Sequence, residues 1–289
     1  MEKLEQIIEE ITQEAASIQI QGRALRHDEM ARVQAIYEAL PHLREALEVL
    51  TKKIQSTLIT YKIASDLDGK LKAAARVACS FWNRFVIPHS SIVIRLGTFT
   101  ANSLVIARAY QPYQYDGVMY GKVEFNTKYL STFTKNRISG TIVHEIGHSL
   151  GFGWDEWNAL YSKSTGIFSR DAINKISALE NMRVETDYGP GTQFSHWDEQ
   201  RHDKELMTGI QDSFEYVLPV TIDIMQLFGH QVAEELPQQT NLDTLLDSLA
   251  QVMFSRKVEA KSINLDHFEK TPIMENIPHN QPLTKKKNK

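Results

Sequence analysis

A His-Glu-x-x-His motif within the stretch Thr141–Gly151 constrains this chain more than any other feature of its sequence. On a helix, residues four apart lie on one face, so His144 and His148 can reach a single metal ion with Glu145 beside it. Neutral histidine nitrogens are common zinc ligands, and a catalytic zinc has three protein ligands and a water. A carboxylate can accept the proton of that water while the zinc polarises a carbonyl group. The motif therefore predicts one catalytic Zn²⁺ ion held by His144 and His148, with Glu145 as general base and a third ligand elsewhere.

The same five residues could instead form an exposed histidine and glutamate pair on a solvated helix. The flanking residues argue against this, since Ile142 and Val143 precede the motif and Leu150 follows it. Such flanks are typical of a buried helix. Burying two histidines and a glutamate without partners would cost several kcal/mol, and a bound metal removes that cost.

Composition sets the broad class of protein. The chain has 289 residues, 42% hydrophobic and 24% charged, which is ordinary for a folded protein of one large domain with extensions. A net charge of −4 gives no indication of a nucleic-acid partner, and no apolar run is long enough to span a membrane. The acidic, amphipathic start does not resemble a secretory signal, and the single cysteine, Cys79, excludes internal disulfides. We expect a protein that is cytoplasmic or exported without a signal peptide.

Residues 1–65 predict a helical N-terminal extension. Two apolar series recur there at helical spacing, and the second has a heptad-like stripe. The members of the two series are Ile7, Ile8, Ile11, Ala15 and Ile18, then Ile36, Leu40, Leu43, Leu47, Leu50 and Ile54. The pattern fits a packed helical hairpin, a coiled coil that makes a homodimer, or a segment that inhibits an active site, and it does not choose among them.

Residues 66–232 predict one α+β domain. An amphipathic helix runs from Leu67 to Phe85, where Cys79 fits a small core position better than a regulatory zinc ligand. Strand-like runs follow, and then the motif helix, which gives a layered α+β arrangement. The strands are predicted at Ser91–Leu96, Leu104–Tyr110 and Met119–Phe125. The last of these could be an inner strand or the cleft edge that pairs with an extended peptide.

The position of the third ligand separates the families of zinc peptidases. Gly151 follows His148 by three residues, as it does in metzincins, where a third histidine normally comes three residues after the glycine. That position here is Trp154, which cannot bind zinc. A later segment, Gly189–Asp198, contains Ser-His-Trp with His196, and a Glu-Leu-Met sequence ending at Met207 follows it.

These features, in this order, resemble the leishmanolysin family of metzincin zinc peptidases, in which an insertion separates the motif glycine from the third histidine. The resemblance covers roughly Leu67 to Phe228. It implies a twisted mixed sheet with an active-site helix and a mainly helical lower half. It also implies Zn²⁺ ligands His144, His148 and His196, with Glu145 as base.

The resemblance implies that Met207 is the Met-turn residue, which packs beneath the metal without binding it. Gly209 occupies the position of a tyrosine found in some other metzincins, so no oxyanion-stabilising side chain is assigned. The eukaryotic members of the family are cysteine-rich and this chain is not, so their disulfides and surface anchoring are not carried over.

Other residues could supply the third ligand. Glu180 and Glu185 lie on or after a helix predicted from Arg170 to Val184, and either could complete a His-His-Glu site. His202 lies six residues after His196 and is the other alternative. None of the three accounts for both the glycine and the Met turn.

The remaining segments are predicted from their patterns alone. The insertion Phe152–Ser195 is expected to build the lower half of the domain. Residues 233–260 predict a C-terminal amphipathic helix capped by Asn241, and residues 261–289 predict a disordered tail with a basic end. The helix has its apolar face at Leu242, Leu245, Leu246, Leu249, Val252 and Met253.

The sequence thus predicts a zinc-dependent endopeptidase that hydrolyses peptide bonds of protein substrates through a zinc-bound water activated by Glu145. The alternative is a non-catalytic helical interaction protein with a structural zinc site. The intact Glu145 favours the enzyme, because a purely structural site has no use for an adjacent carboxylate.

Overall fold

The computed structural model describes residues 58–251 and 276–280. Most of the predicted N-terminal extension and the end of the predicted C-terminal helix lie outside the described residues. The described end of the predicted extension differs from the prediction, because Ile59–Ile63 is a strand of the main sheet and not part of a helical extension. The described chain is a mixed α+β fold built around a five-stranded mixed sheet. Its α-helices are α1 (Lys70–Phe85), α2 (Thr127–Leu130), α3 (Lys135–Ser149), α4 (Asp155–Asn158), α5 (Arg170–Lys175), α6 (Pro219–Asp223) and α7 (Leu242–Gln251). Its strands are β1 (Ile59–Ile63), β2 (Val86–Ile87), β3 (Ile92–Phe99), β4 (Val105–Tyr115), β5 (Val118–Asn126), β6 (Tyr216–Val217), β7 (Gln231–Val232), β8 (Thr240–Asn241) and β9 (Asn276–Asn280).

The main sheet has the strand order β1-β3-β5-β4-β9. Strands β1, β3 and β5 are parallel, whereas β4 runs antiparallel to β5 and β9 runs antiparallel to β4. The predicted helix and three strands are present at nearly their predicted positions. Strand β5 is an inner strand, so it is not the cleft edge that was one of its two interpretations. Strand β4 pairs with β5 on one side and with β9 on the other.

Helix α3 carries the motif and lies in the centre of the fold. Thr134 caps its N-terminus by accepting a hydrogen bond from the Arg137 amide at 3.3 Å. Its middle is fixed against α1 by the Trp82 indole, which donates to the Val143 carbonyl oxygen at 2.8 Å. Its C-terminal end approaches β5 at Gly121, where a Cβ atom would lie 2.8 Å from the Ser149 hydroxyl. The helix is buried from Ile138 to Ser149, as its apolar flanks predicted.

The lower half of the fold is mainly irregular chain around an aromatic core, and not the mainly helical structure that the resemblance implied. The predicted helix Arg170–Val184 is shorter than expected, since α5 is followed by a 3-10 helix at Ser177–Asn181. Rings from the insertion pack with rings from outside it, with neighbouring centroids 4.8–5.8 Å apart. These rings belong to Phe152, Trp157, Phe168, Trp197 and Phe228. The insertion therefore contributes to the core and is not a surface loop.

The C-terminal part of the described chain contributes one helix and one strand. Helix α7 lies within the predicted helix 233–260 and buries four leucines, Leu242, Leu245, Leu246 and Leu249. Strand β9 lies within residues 261–289, where the sequence predicted a disordered tail. For these five residues the structure differs from that prediction, because the edge of β4 supplies hydrogen-bond partners that a polar sequence pattern does not reveal.

No helix in the described ranges 58–251 and 276–280 is long and apolar enough to cross a membrane.

Candidate metal centre

Three histidines from two distant parts of the chain converge at the centre of the fold. His144 and His148 project from α3, and His196 comes from the irregular chain that follows the insertion. Their Nε2 atoms form a nearly equilateral triangle with sides of 3.1, 3.1 and 3.2 Å. All three side chains are fully buried. The structure thus brings together the three residues that the sequence predicted as ligands.

Each imidazole is held by a backbone carbonyl on its other nitrogen. His144 Nδ1 donates to the Leu206 oxygen at 2.7 Å, and His148 Nδ1 donates to the Phe152 oxygen at 3.0 Å. His196 Nδ1 donates to the Thr192 oxygen at 2.9 Å. A carbonyl oxygen can only accept, so each Nδ1 carries a hydrogen and each neutral ring presents a lone pair on Nε2. Metal-binding histidines are oriented in this way in proteins.

The protonation equilibria favour the metal-binding form of the rings. Burial lowers the pKa of His144 and of His148 well below the usual histidine value. The His196 imidazole adds to the effect on both, and the His144 imidazole adds to it on His148. Burial also lowers the pKa of His196, to about 4. Neutral imidazole is the form that binds metal ions. The three rings are therefore ready to bind a cation at neutral pH.

The triangle has the dimensions that a tetrahedral metal requires. A metal bound to three nitrogens at about 2.0–2.1 Å with tetrahedral angles sets those nitrogens about 3.3–3.4 Å apart. The observed 3.1–3.2 Å is close to this. Three converging lone pairs with no proton between them repel one another, and a cation removes that repulsion. A donor set of three imidazoles fits Zn²⁺, with one coordination position left for a water or substrate.

Glu145 lies beside this triangle. Its side chain is fully buried, and neither carboxylate oxygen has a hydrogen-bond partner among the residues that the structure describes. Burial raises the pKa of the Glu145 carboxyl well above its ordinary value. An unpartnered buried carboxyl costs about 1–3 kcal/mol or more, so a position of this kind is typical of a functional group.

The turn after α3 contains Trp154 and Gly151, and both have structural roles there. Trp154, where a third histidine was expected, donates its indole N–H to the His148 carbonyl oxygen at 2.8 Å. Gly151 has φ 135° and lies against Phe228, which leaves no room for a side chain. Trp154 therefore stabilises the end of the helix, and His196 supplies the third imidazole of the triangle.

Met207 lies under the helix that carries the motif. A Cβ atom on Gly147 would lie 2.7 Å from the Met207 sulfur, so the thioether packs directly against this glycine. The Met207 carbonyl oxygen accepts a hydrogen bond from the Trp197 amide at 3.0 Å, next to His196. The methionine side chain is fully buried.

Glu205 organises the turn that contains Met207, and the sequence interpretation did not single it out. Its carboxylate accepts hydrogen bonds from the Met207 amide at 2.6 Å, the Leu218 amide at 3.1 Å and the Thr221 hydroxyl at 2.6 Å. Burial raises the pKa of Glu205 to about 7 although these three donors oppose it. The only sequence signal was an acidic residue beside two apolar ones at the turn.

The alternative third ligands lie elsewhere. Glu185 accepts backbone hydrogen bonds from Asp187, Tyr188 and Glu199, and His202 Nε2 accepts from the Arg183 amide at 3.2 Å. Glu180 is exposed. Neither these three residues nor Cys79, which is buried in α1, is part of the histidine cluster. The interpretation of Cys79 as a core residue fits its burial.

A fourth histidine, His279, lies against the centre and was not a candidate in the sequence. It belongs to β9, and its ring stacks on that of His144 with the centroids 3.8 Å apart and the planes 7° apart. One of its nitrogens, a nitrogen of His144 and an oxygen of Glu145 all lie within 4.8 Å of one another. Its sequence neighbours carry no motif, so only the pairing of β9 with β4 places it here.

A comparison of the chain with protein-family models gave no match, and a comparison with curated proteins gave none either.

Proposed function

We propose that this protein is a zinc-dependent endopeptidase similar to the leishmanolysin family, with a metzincin-like catalytic domain. The observation that carries the proposal is the triangle of three Nε2 atoms with an unpartnered, buried Glu145 beside it. A structural zinc site is closed by four protein ligands, whereas this triangle offers three, and an oxygen of Glu145 lies within 4.8 Å of a nitrogen of His144. The order of the motif, the turn and the distant histidine supports the family assignment.

His144, His148 and His196 would hold the zinc. When bound, the ion supplies a Lewis acid that polarises the scissile carbonyl and lowers the pKa of a water molecule. The backbone carbonyls that accept from the three Nδ1 atoms keep the rings in this orientation and in the correct tautomer. Met207 and Glu205 keep the turn that carries the Leu206 carbonyl in place.

Glu145 would move the protons. Its carboxylate accepts the proton of the attacking water and then donates it to the nitrogen of the departing amine. Burial makes this carboxylate a stronger base than an exposed one, and the positive charge of a metal ion opposes that effect. The substrate would be an extended segment of a protein or peptide, with its scissile carbonyl at the metal.

The test is Glu145→Gln, which keeps the size of the side chain and removes the base. We expect the purified variant to retain one zinc per chain and to lose peptide hydrolysis by at least about 10²–10⁴-fold. Zinc is measured by atomic absorption and hydrolysis with fluorescein-labelled casein. Glu156→Gln, on an exposed glutamate of α4, is the matched control and should hydrolyse casein as the wild type does. Equal turnover in Glu145→Gln and the wild type would remove Glu145 from the mechanism.

A further inference from the structure

Strand β9 places an extended peptide along the edge of the sheet next to the metal centre. It pairs antiparallel with β4, with Ala109 opposite Ile277 and Ala107 opposite His279. Both alanines are fully buried and small, so they leave room for the side chains of the neighbouring strand. Five residues of the chain thus lie on β4 in the way that a bound peptide extends a sheet.

Two glycines of the insertion, one shortly after α3 and one shortly before His196, contact this strand. A Cβ atom on Gly153, just after α3, would overlap the Ile277 side chain, which is buried. A Cβ atom on Gly191, just before His196, would overlap the Pro278 ring. Gly153 and Gly191 have φ of 85° and 93°, a conformation that glycine adopts without strain. The groove that holds β9 is therefore built by the same segments that position the histidines.

His279 is the residue of β9 that reaches the reactive groups. Its imidazole is 1% exposed, and neither ring nitrogen has a hydrogen-bond partner among the described residues. The Glu145 oxygens are unpartnered in the same way, and a nitrogen of His279 lies within 4.8 Å of one of them. A single water could bridge atoms at this distance, and so could a shared cation. His279 thus occupies space beside Glu145 that the reaction requires.

We infer that β9 is a tethered occupant of the peptide-binding groove, with His279 covering Glu145 and the metal centre, and that a substrate must displace it. The inference rests on the proposed function for the identity of the competing ligand, an extended peptide. An imidazole contains no bond that this chemistry cleaves, so His279 blocks the centre without being consumed. The pairing of β9 with β4 involves only five residues of β9. An occupant on the same chain acts at an effective concentration of about millimolar, which a substrate can overcome.

Two substitutions separate the effect of the His279 imidazole from that of strand β9, which carries it. His279→Ala removes the imidazole and leaves the pairing of β9 with β4. Ile277→Asp places a charge in an apolar contact and should release the whole strand, without changing any residue that touches the three histidines. The matched control is His89→Ala, since His89 is exposed and stacks on His230, away from the centre.

The first measurement is the rate at which a chromogenic chelator removes zinc from the loaded proteins, which does not depend on catalysis. We expect both variants to lose zinc at least about three-fold faster than the wild type and the His89→Ala control, because the occupant no longer shields the centre. Equal release rates in all four proteins would overturn the inference, whatever their peptidase activity.

The second measurement is casein hydrolysis by the same four proteins. Both variants should have kcat/KM raised by at least about three-fold, because the fraction of molecules with an open groove increases. A fall in kcat for His279→Ala would show that His279 assists the reaction and would overturn the block. If no protein hydrolyses casein while the two variants still release zinc faster, the proposed function fails and the occupancy of the groove by β9 stands.

The third measurement uses a fluorescent synthetic peptide with the sequence of residues 272–283. It should bind Ile277→Asp at least about ten-fold more tightly than the wild type, in which the groove is occupied, and a peptide with alanine in place of histidine should bind more weakly. Equal binding of the peptide to the two proteins would contradict the model of a tethered occupant.

Discussion

The two halves of the candidate metal centre are built in different ways. His144, Glu145 and His148 lie on one regular helix, whose backbone hydrogen bonds and spacing alone bring them together. His196 and Met207 lie on irregular chain, which is fixed by side chains such as Glu205 and by the aromatic core of the insertion. The geometry of the helical half is set locally by five consecutive residues, whereas the geometry of the irregular half depends on contacts between distant segments. Changes in the irregular half should therefore affect both the metal and the stability of the fold.

His196→Ala should have the largest effect, because it removes the proposed third ligand, the only one of the three that comes from the irregular half. We expect zinc affinity to fall by more than the roughly 10–100-fold that follows the loss of an outer partner of a ligand. Zinc content after dialysis, measured by mass spectrometry, tests this. His202→Ala is the control, and full zinc occupancy in His196→Ala together with loss in His202→Ala would make His202 the third ligand.

Glu205→Gln should weaken the irregular half without touching a ligand. The NH₂ group of the glutamine cannot accept a hydrogen bond, so at least one of the three donors that now meet a carboxylate oxygen would lose its acceptor. An unpaired buried donor costs about 1–3 kcal/mol of unfolding free energy. Urea unfolding of the zinc-loaded proteins measures this. Unchanged stability would mean that the turn is held by its packing alone.

The difference in unfolding free energy between the wild type and Glu205→Gln should depend on pH, because burial raises the pKa of Glu205 to about 7. Between roughly pH 4.5 and 7 the folded protein keeps a proton that the unfolded chain has released, so stability falls as pH rises through this window. Glutamine does not titrate, so the deficit of the variant should be largest near pH 5 and smaller near pH 8. A deficit that grows with pH would contradict the raised pKa.

Gly147→Ala should have the smallest effect and tests the contact between the halves. The new methyl group would meet the Met207 thioether, which is flexible and can move, at a cost of about 1 kcal/mol. On the same helix, Gly140→Ala is the control, since its nearest neighbour is a leucine side chain at 3.1 Å. In thermal unfolding of the zinc-loaded proteins, the melting temperature of Gly147→Ala should be lower than that of Gly140→Ala. The reverse order would contradict close packing of Met207 against Gly147.

The same contrast explains what the sequence could predict. The helix, its burial and its two histidines were predictable because spacing along a helix fixes the positions of its side chains. His196 was predictable only through the resemblance, since no local rule relates it to His148. Strand β9 and His279 were not predicted, because the partner of β9 is β4 and lies far away in the sequence.

Glu205 and the inner position of β5 show the same limit on a smaller scale. The role of Glu205 comes from three donors in separate segments, of which two follow it by more than ten residues. The choice between inner and edge strand for β5 depended on where β4 turned back. Hydrophobic periodicity identifies a helix or strand and its buried face, but it does not show which other element that helix or strand packs or pairs with.

Pro278 has a consequence for the behaviour of the protein in solution. As the outermost strand of the sheet, β9 carries a residue that has no N–H group, and proline at a sheet edge discourages further strands from joining. When β9 leaves, Val105–Tyr110 of β4 presents its unpaired backbone groups instead. A form with a permanently open groove would therefore aggregate more readily than the closed form, through edge-to-edge pairing of separate molecules. In the proposed mechanism, a covered sheet edge therefore protects the solubility of the protein as well as the candidate metal centre.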